Sequence, residues 1–136
     1  MMPAHRVLVV DDHPDAAEIA CALLELFGHQ CAIATTGQQG LARAAEFEPD
    51  VAIVDIGLPD ISGYEVARQL RASSSGRPLF LAALTGWGAP EDRDRAFAAG
   101  FDYHVTKPAD AEKLREILAR ADLAAAALDA GTLHRT

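Results

Sequence analysis

Val7-Leu8-Val9-Val10-Asp11-Asp12 sets four apolar residues directly before two carboxylates. A short apolar run without polar alternation is the pattern of a strand buried on both faces, as in a parallel sheet covered by helices. The pattern returns at residues 31–34, at 51–54 just before Asp55, and at 79–84 just before Thr85. A weaker fifth run at 103–105 leads to Lys107. The segments between these runs carry helical spacing. Ala16, Ile19, Ala20, Leu23, Leu24 and Phe27 mark one face of a first helix, with Pro14 suited to its first turn and Gly28 to its stop. Leu41, Ala44 and Ala45 mark a second, and Gly63, Val66, Ala67 and Leu70 a third. A fourth, at about 91–99, is short and poorly patterned, and Leu114, Ile117, Leu118, Ala121, Ala125 and Leu128 form the stripe of a fifth. Strand and helix alternate throughout, which predicts an α/β fold on a five-stranded parallel sheet.

A chain of 136 residues fits one domain, and 50% hydrophobic content suffices for its core. Acidic residues outnumber basic ones 20 to 12, for a formal charge of −8. That balance disfavours direct nucleic-acid binding, which needs clustered Lys and Arg. No apolar run is long enough to span a bilayer, and the first residues lack the pattern of a signal peptide. The expectation is a cytoplasmic protein without membrane insertion. Cys21 and Cys31 lack metal-ligand spacing and are expected to be buried, reduced thiols.

In an open α/β sheet, ligands bind outside the carboxyl ends of the strands. Asp11 and Asp12 close the first run, Asp55 the third and Thr85 the fourth, while Lys107 follows the fifth. All therefore project toward one edge. Carboxylates gathered there repel one another unless positive charge sits among them, and a hard divalent cation such as Mg²⁺ answers that need with oxygen ligands. Lys107 adds an ammonium and Thr85 a hydroxyl, completing a cradle for phosphoryl transfer to a carboxylate. Singly, each residue has a plainer use. Asp11-Asp12 suits a helix cap, Asp55 a turn, and Lys107 before Pro108 a solvated turn lysine. Their joint placement at the ends of separate strands favours the chemical reading.

The pieces Val7-Leu8-Val9-Val10-Asp11-Asp12, Asp55-Ile56-Gly57-Leu58-Pro59-Asp60-Ile61-Ser62-Gly63, Leu84-Thr85-Gly86 and Thr106-Lys107-Pro108 resemble the receiver domains of bacterial response regulators. The resemblance runs from about His5 to Arg120. It implies a doubly wound (βα)5, flavodoxin-like fold with strand order 2-1-3-4-5. It implies that Asp55 is the phosphoacceptor, taking a phosphoryl group from a histidine kinase or phosphotransfer protein. Asp12, Asp55 and the backbone carbonyl of Gly57 match the direct Mg²⁺ ligands, and Asp11 matches the acid that acts through a metal-bound water. Lys107 matches the lysine that pairs with the phosphoryl group, and its bond to Pro108 one that is usually cis. Thr85 matches the hydroxyl that moves toward the phosphoryl oxygen. Such a protein is a signalling phosphoacceptor, catalysing only its own phosphorylation and dephosphorylation.

The sequence departs from the family pattern at one switch position. His104 stands where an aromatic side chain usually rotates; it is similar to receivers fused to hybrid kinases, and it brings a group that titrates between pH 5 and 8. Gly57 and Trp87 flank the site without a side chain suited to holding an attacking water, so a long-lived acyl phosphate is expected. The resemblance places the output surface on the fourth helix, fifth strand and fifth helix. Residues 1–122 are expected to form the receiver domain and 123–136 a C-terminal helix extension or linker tail. The length leaves no room for an output domain, so the chain is either a stand-alone regulator or a receiver from a longer protein, and its downstream target is unnamed. Two other readings stand beside this one. A pseudo-receiver would bind partners without phosphate, but it would be expected to lack a pocket acid or the lysine. A haloacid-dehalogenase-like, Mg²⁺-dependent phosphatase would want a second aspartate where Gly57 stands.

Overall fold

The structure is a computed structural model that describes residues 4–74, 78–86, 88 and 90–135, with 128–135 described by their backbone alone. Its strands are β1 (Arg6–Val10), β2 (Gln30–Ala34), β3 (Val51–Asp55), β4 (Phe80–Thr85) and β5 (Tyr103–Thr106). Between and after them run α1 (Pro14–Leu26), α2 (Gly37–Phe47), α3 (Gly63–Ser73), α4 (Pro90–Ala99) and α5 (Ala111–Arg135). The strands form one parallel sheet in the order β2-β1-β3-β4-β5. This is the doubly wound topology that the strand-helix alternation and the family resemblance imply. No helix among the described residues is long and apolar enough to cross a membrane.

Local chemistry sets the helix ends. The Thr36 hydroxyl accepts from the Gln39 N–H at the start of α2, and the Ser62 hydroxyl accepts from Glu65 at the start of α3. Gly28 and Gly100 leave α1 and α4 at φ 96° and 113°, where a side chain would be strained. Alternate residues of each strand then feed two cores. Val7, Val9, Val51, Ile53, Ala82 and Leu84 pack with Ala17, Ala20 and Leu24 of α1 and Leu114, Ile117 and Leu118 of α5. Leu8, Val10, Ala52, Val54, Leu81 and Ala83 pack beneath α3 and α4, with Leu41 and Ala44 of α2 partly covered. The central strand β3 is buried along its whole length, which makes its carboxyl end a rigid mount for Asp55.

Several expectations need correction. The buried face of α1 is Ala17, Ala20, Cys21 and Leu24, while Ala16 is exposed and Ile19 is 62% exposed. Small alanines and a cysteine define the covered stripe, and hydropathy alone weighs them too lightly against Ile19. Ala45 and Ala125 are exposed rather than covered, because α2 lies over the sheet margin and α5 outruns it. Leu128 lies outside the described side chains. The cysteines are not free thiols: Cys21 of α1 and Cys31 of β2 form a disulfide, with Cα atoms 5.6 Å apart. Residue 21 sits on the face that α1 lays against the sheet, so the helix brings it back onto the edge strand.

Candidate functional site

The strand ends bring the acidic residues together. Asp11 leaves β1 with its N–H bonded to the Ala34 carbonyl, 3.0 Å away, and is 5% exposed. Asp55 ends β3 and is 1% exposed. Carboxylate oxygens of Asp11, Asp12 and Asp55 and a ring nitrogen of His13 all lie within 4.8 Å of one another. His13 Nδ1 stands 3.1 Å from Asp11 Oδ1 and 3.2 Å from Asp12 Oδ1. The His13 N–H also donates to Asp11 Oδ1. Asp12 Oδ1 nevertheless remains buried without a hydrogen bond. A buried carboxylate oxygen left unbonded among like charges is costly, and a hard cation with carboxylate ligands would satisfy it. The donor set therefore fits Mg²⁺.

The positive side of the site comes from β5. Lys107 Nζ donates to Asp55 Oδ2 at 2.7 Å, and the Lys107 N–H is held by the Thr85 carbonyl at 2.8 Å. The Lys107–Pro108 bond is cis. The other Asp55 oxygen, Oδ1, accepts from the Gly57 N–H at 2.9 Å. Thr85 is buried at the end of β4, and its hydroxyl lies 2.8 Å from His104 Nε2. Burial lowers the His104 pKa below the usual histidine value, and the nearby Arg93 charge lowers it further. A neutral ring at pH 7 follows. Asp55, Gly57, Thr85, Gly86, Lys107 and Asp92 line an open cleft of about 290 Å³ above the acceptor. It is open to solvent, and its volume is enough to admit a phosphoryl group on a partner's side chain.

The loop after the acceptor is braced from two sides. The Gly63 N–H donates to the Ile56 carbonyl at 2.9 Å. Asp60 accepts from the backbone N–H groups of Gly37 and Gln38, each at 2.8 Å, at the start of α2. The Gln38 bond is the first of the backbone bonds that hold the Asp60 carboxyl below its usual pKa. A Cβ at Gly63 would overlap the Asp55 carbonyl oxygen and come within 2.7 Å of the Ile56 Cα. Backbone cannot yield as a side chain can. Gly63→Ala is therefore expected to cost about 1–3 kcal/mol in urea-monitored unfolding and to slow phosphorylation by displacing the acceptor.

Asp11, Asp12, Asp55, Thr85 and Lys107 thus converge as their places in the sequence imply, with His104 reaching the site through Thr85. Trp87 lies outside the described residues. His13 and Asp60 are additions. His13 is the N-cap of α1 without a side-chain cap bond, and it turns toward the acids instead. Asp60 carries only a turn signal, and what it caps is a helix more than twenty residues earlier in the chain.

Residues 7–119 match the family model of the response regulator receiver domain. Over 118 residues the chain is 41% identical to the probable transcriptional regulatory protein TcrX of Mycobacterium tuberculosis, covering 84% of this chain and 50% of TcrX. It is 33% identical over 109 residues to protein PilH of Pseudomonas aeruginosa, covering 80% of this chain and 90% of PilH. The chemotaxis protein CheY4 of Vibrio cholerae superposes with a TM-score of 0.81 at 28% identity, over 88% of this chain and 99% of that one. The chain spans about half the length of TcrX and of other curated transcriptional regulators that it matches.

Proposed function

The chain belongs to the response regulator receiver family, the phosphoacceptors of two-component signalling, and on that premise we propose that Asp55 takes a phosphoryl group from a phosphohistidine of a histidine kinase or phosphotransfer protein. The observation that carries this reading is the pairing of a buried Asp55 with Lys107 at 2.7 Å beside an unsatisfied acidic cluster. A carboxylate oxygen of Asp55 attacks phosphorus, the P–N bond breaks, and the departing imidazole keeps the electron pair and takes up a proton. The product is an acyl phosphate on Asp55.

Asp12, Asp55 and the Gly57 carbonyl would hold Mg²⁺ directly, with Asp11 acting through a water. Held by these residues, Mg²⁺ would supply positive charge against the charge that gathers on the phosphoryl oxygens. Lys107 supplies the opposing cation and moves its hydrogen bond from the Asp55 carboxylate to a phosphoryl oxygen. The Gly57 N–H orients the attacking carboxylate. Such positioned donors account for most of the catalysis in phosphoryl transfer.

Thr85 links the site to the outer surface. Its hydroxyl shares one hydrogen bond with His104 Nε2. A phosphoryl oxygen competes for the same hydroxyl, so phosphorylation biases His104 between two positions and with it the face made by α4, β5 and α5. We assign residues 1–122 to the receiver and 123–136 to a C-terminal helix extension or linker tail, with α5 running on to Arg135. The chain acts through protein contacts rather than on nucleic acid.

Phosphotransfer from a labelled histidine kinase tests the donor. Label should reach the wild type with Mg²⁺ present and fail to do so in EDTA. Persistent failure with competent kinases would leave a pseudo-receiver. The lifetime of the product offers a second check. A Cβ at position 57 meets only Asp55 Oδ1, at 3.8 Å, an ordinary van der Waals contact. Gly57→Asn supplies a polar group able to hold water beside the acyl phosphate and is expected to hasten its hydrolysis about tenfold. The wild-type acyl phosphate should outlast a timescale of seconds, and decay within seconds would contradict the reading.

A further inference from the structure

At the end of the sheet remote from Asp55, His5 is a buried histidine, 6% exposed, with a carboxylate on each ring nitrogen. Nδ1 lies 2.7 Å from Asp50 Oδ2, and Nε2 lies 2.6 Å from Asp122 Oδ1 on α5. An ionised carboxylate only accepts, and a neutral imidazole has one N–H to give. Both contacts are satisfied only when the cluster holds one extra proton. We propose that His5, Asp50 and Asp122 form a proton-operated clasp, which fastens α5 to β1 and β3 while that proton is bound and lets α5 go when it leaves.

The surroundings support a built device. The Arg6 N–H donates to the second Asp50 oxygen at 2.7 Å, which fixes that carboxylate in place. From the turn before β2, His29 Nδ1 accepts the His5 N–H at 2.9 Å, a bond that requires His29 to keep that nitrogen free of a proton. Across the adjoining cavity stand Arg71 of α3 and Asp102 before β5, which pair with each other. Burial alone lowers the His5 pKa, but the hydrogen bonds and charges of Asp50 and Asp122 more than reverse this, and the net direction is upward. For a histidine raised in the folded state, the stabilisation is complete below about pH 6.5 and is lost as pH rises through the folded value. His29 is lowered, first by burial and then by the His5 charge, and its contribution has the opposite sense, lost as pH falls below that range.

The clasp matters because of where Asp122 lies. Among the described side chains, the buried stripe of α5 ends at Ala121, and Leu123 is already 67% exposed. Among the described residues, the Asp122–His5 bond is the last polar tie between α5 and the sheet. Opening it frees the helix from there toward Arg135, the segment through which a receiver would reach anything beyond it.

Hydrogen exchange of the α5 amides tests this, with histidine ring shifts followed by NMR on the unphosphorylated protein so that the outcome is independent of Asp55 chemistry. After correction for intrinsic exchange, protection at residues 119–124 is expected to fall about tenfold as His5 loses its proton, on the alkaline side of about pH 6.5. The step should vanish in His5→Gln. Asp122→Asn, a near-isosteric change at a side chain that keeps 20% exposure, should abolish it too and serves if His5→Gln fails to fold. A His5 titration with unchanged α5 protection, or a step that persists in Asp122→Asn, would overturn the proposal.

Discussion

Lys107→Ala is expected to slow Mg²⁺-dependent phosphorylation of Asp55 about a hundredfold, the scale on which a single positioned donor counts in such reactions. Lys107 Nζ is the cation in direct contact with the Asp55 carboxylate, at 2.7 Å. In the substituted protein the incoming phosphoryl group meets the acidic cluster without that opposing charge. Lys107→Arg should recover only part of the rate, because a larger planar fork does not reproduce the point contact the ammonium makes with Asp55 Oδ2. Initial rates of adduct formation at fixed donor concentration give the comparison. An alanine variant as fast as the wild type would remove Lys107 from the chemistry.

Asp12→Asn is expected to invert the stability ranking depending on whether Mg²⁺ is present. Asp11, Asp12 and Asp55 place carboxylate oxygens within 4.8 Å of one another. Asp12 is 28% exposed, and its neighbour His13 is 67% exposed and a weak counter-charge. Removing one charge from such a set should stabilise the metal-free protein by about 1 kcal/mol after allowance for solvent screening. In Mg²⁺ at about a hundred times its dissociation constant the wild type gains about 2.7 kcal/mol that the variant lacks. Urea unfolding in EDTA and in saturating Mg²⁺ should show the curves change places. A variant less stable than the wild type in EDTA would mean the cluster is not strained by its own charge. The site would then be one where stability has not been given up for function.

The fold and most of the site were legible because one signal served both. The strands are apolar runs, weakest in β5, and the reactive residues stand where those runs stop: Asp11 after β1, Asp55 ending β3, Thr85 ending β4 and Lys107 just past β5. A parallel sheet aligns those stops without further information. What was not legible depends on helix rotation or on long-range closure. The covered face of α1 is written in Ala17, Ala20 and Cys21, residues whose burial follows from fit rather than hydropathy. The Cys21–Cys31 bond follows from that same rotation. His13 turned toward the acids because Pro14 begins the helix and leaves His13 at its extended N-cap. The His5 cluster joins residues 45 and 117 positions apart, and no local pattern announces it. The contact between Thr85 and His104 likewise needs β4 and β5 to be neighbours in register, which the Thr85–Thr106 pairing provides.

Intact mass after incubation with acetyl phosphate and Mg²⁺, for the wild type and Asp55→Asn, tests the central claim most directly. One phosphoryl adduct is expected on the wild type, dependent on Mg²⁺ and absent from Asp55→Asn. An adduct that survives in Asp55→Asn, or a wild type that accepts nothing from acetyl phosphate or from a phosphorylated kinase, would contradict it.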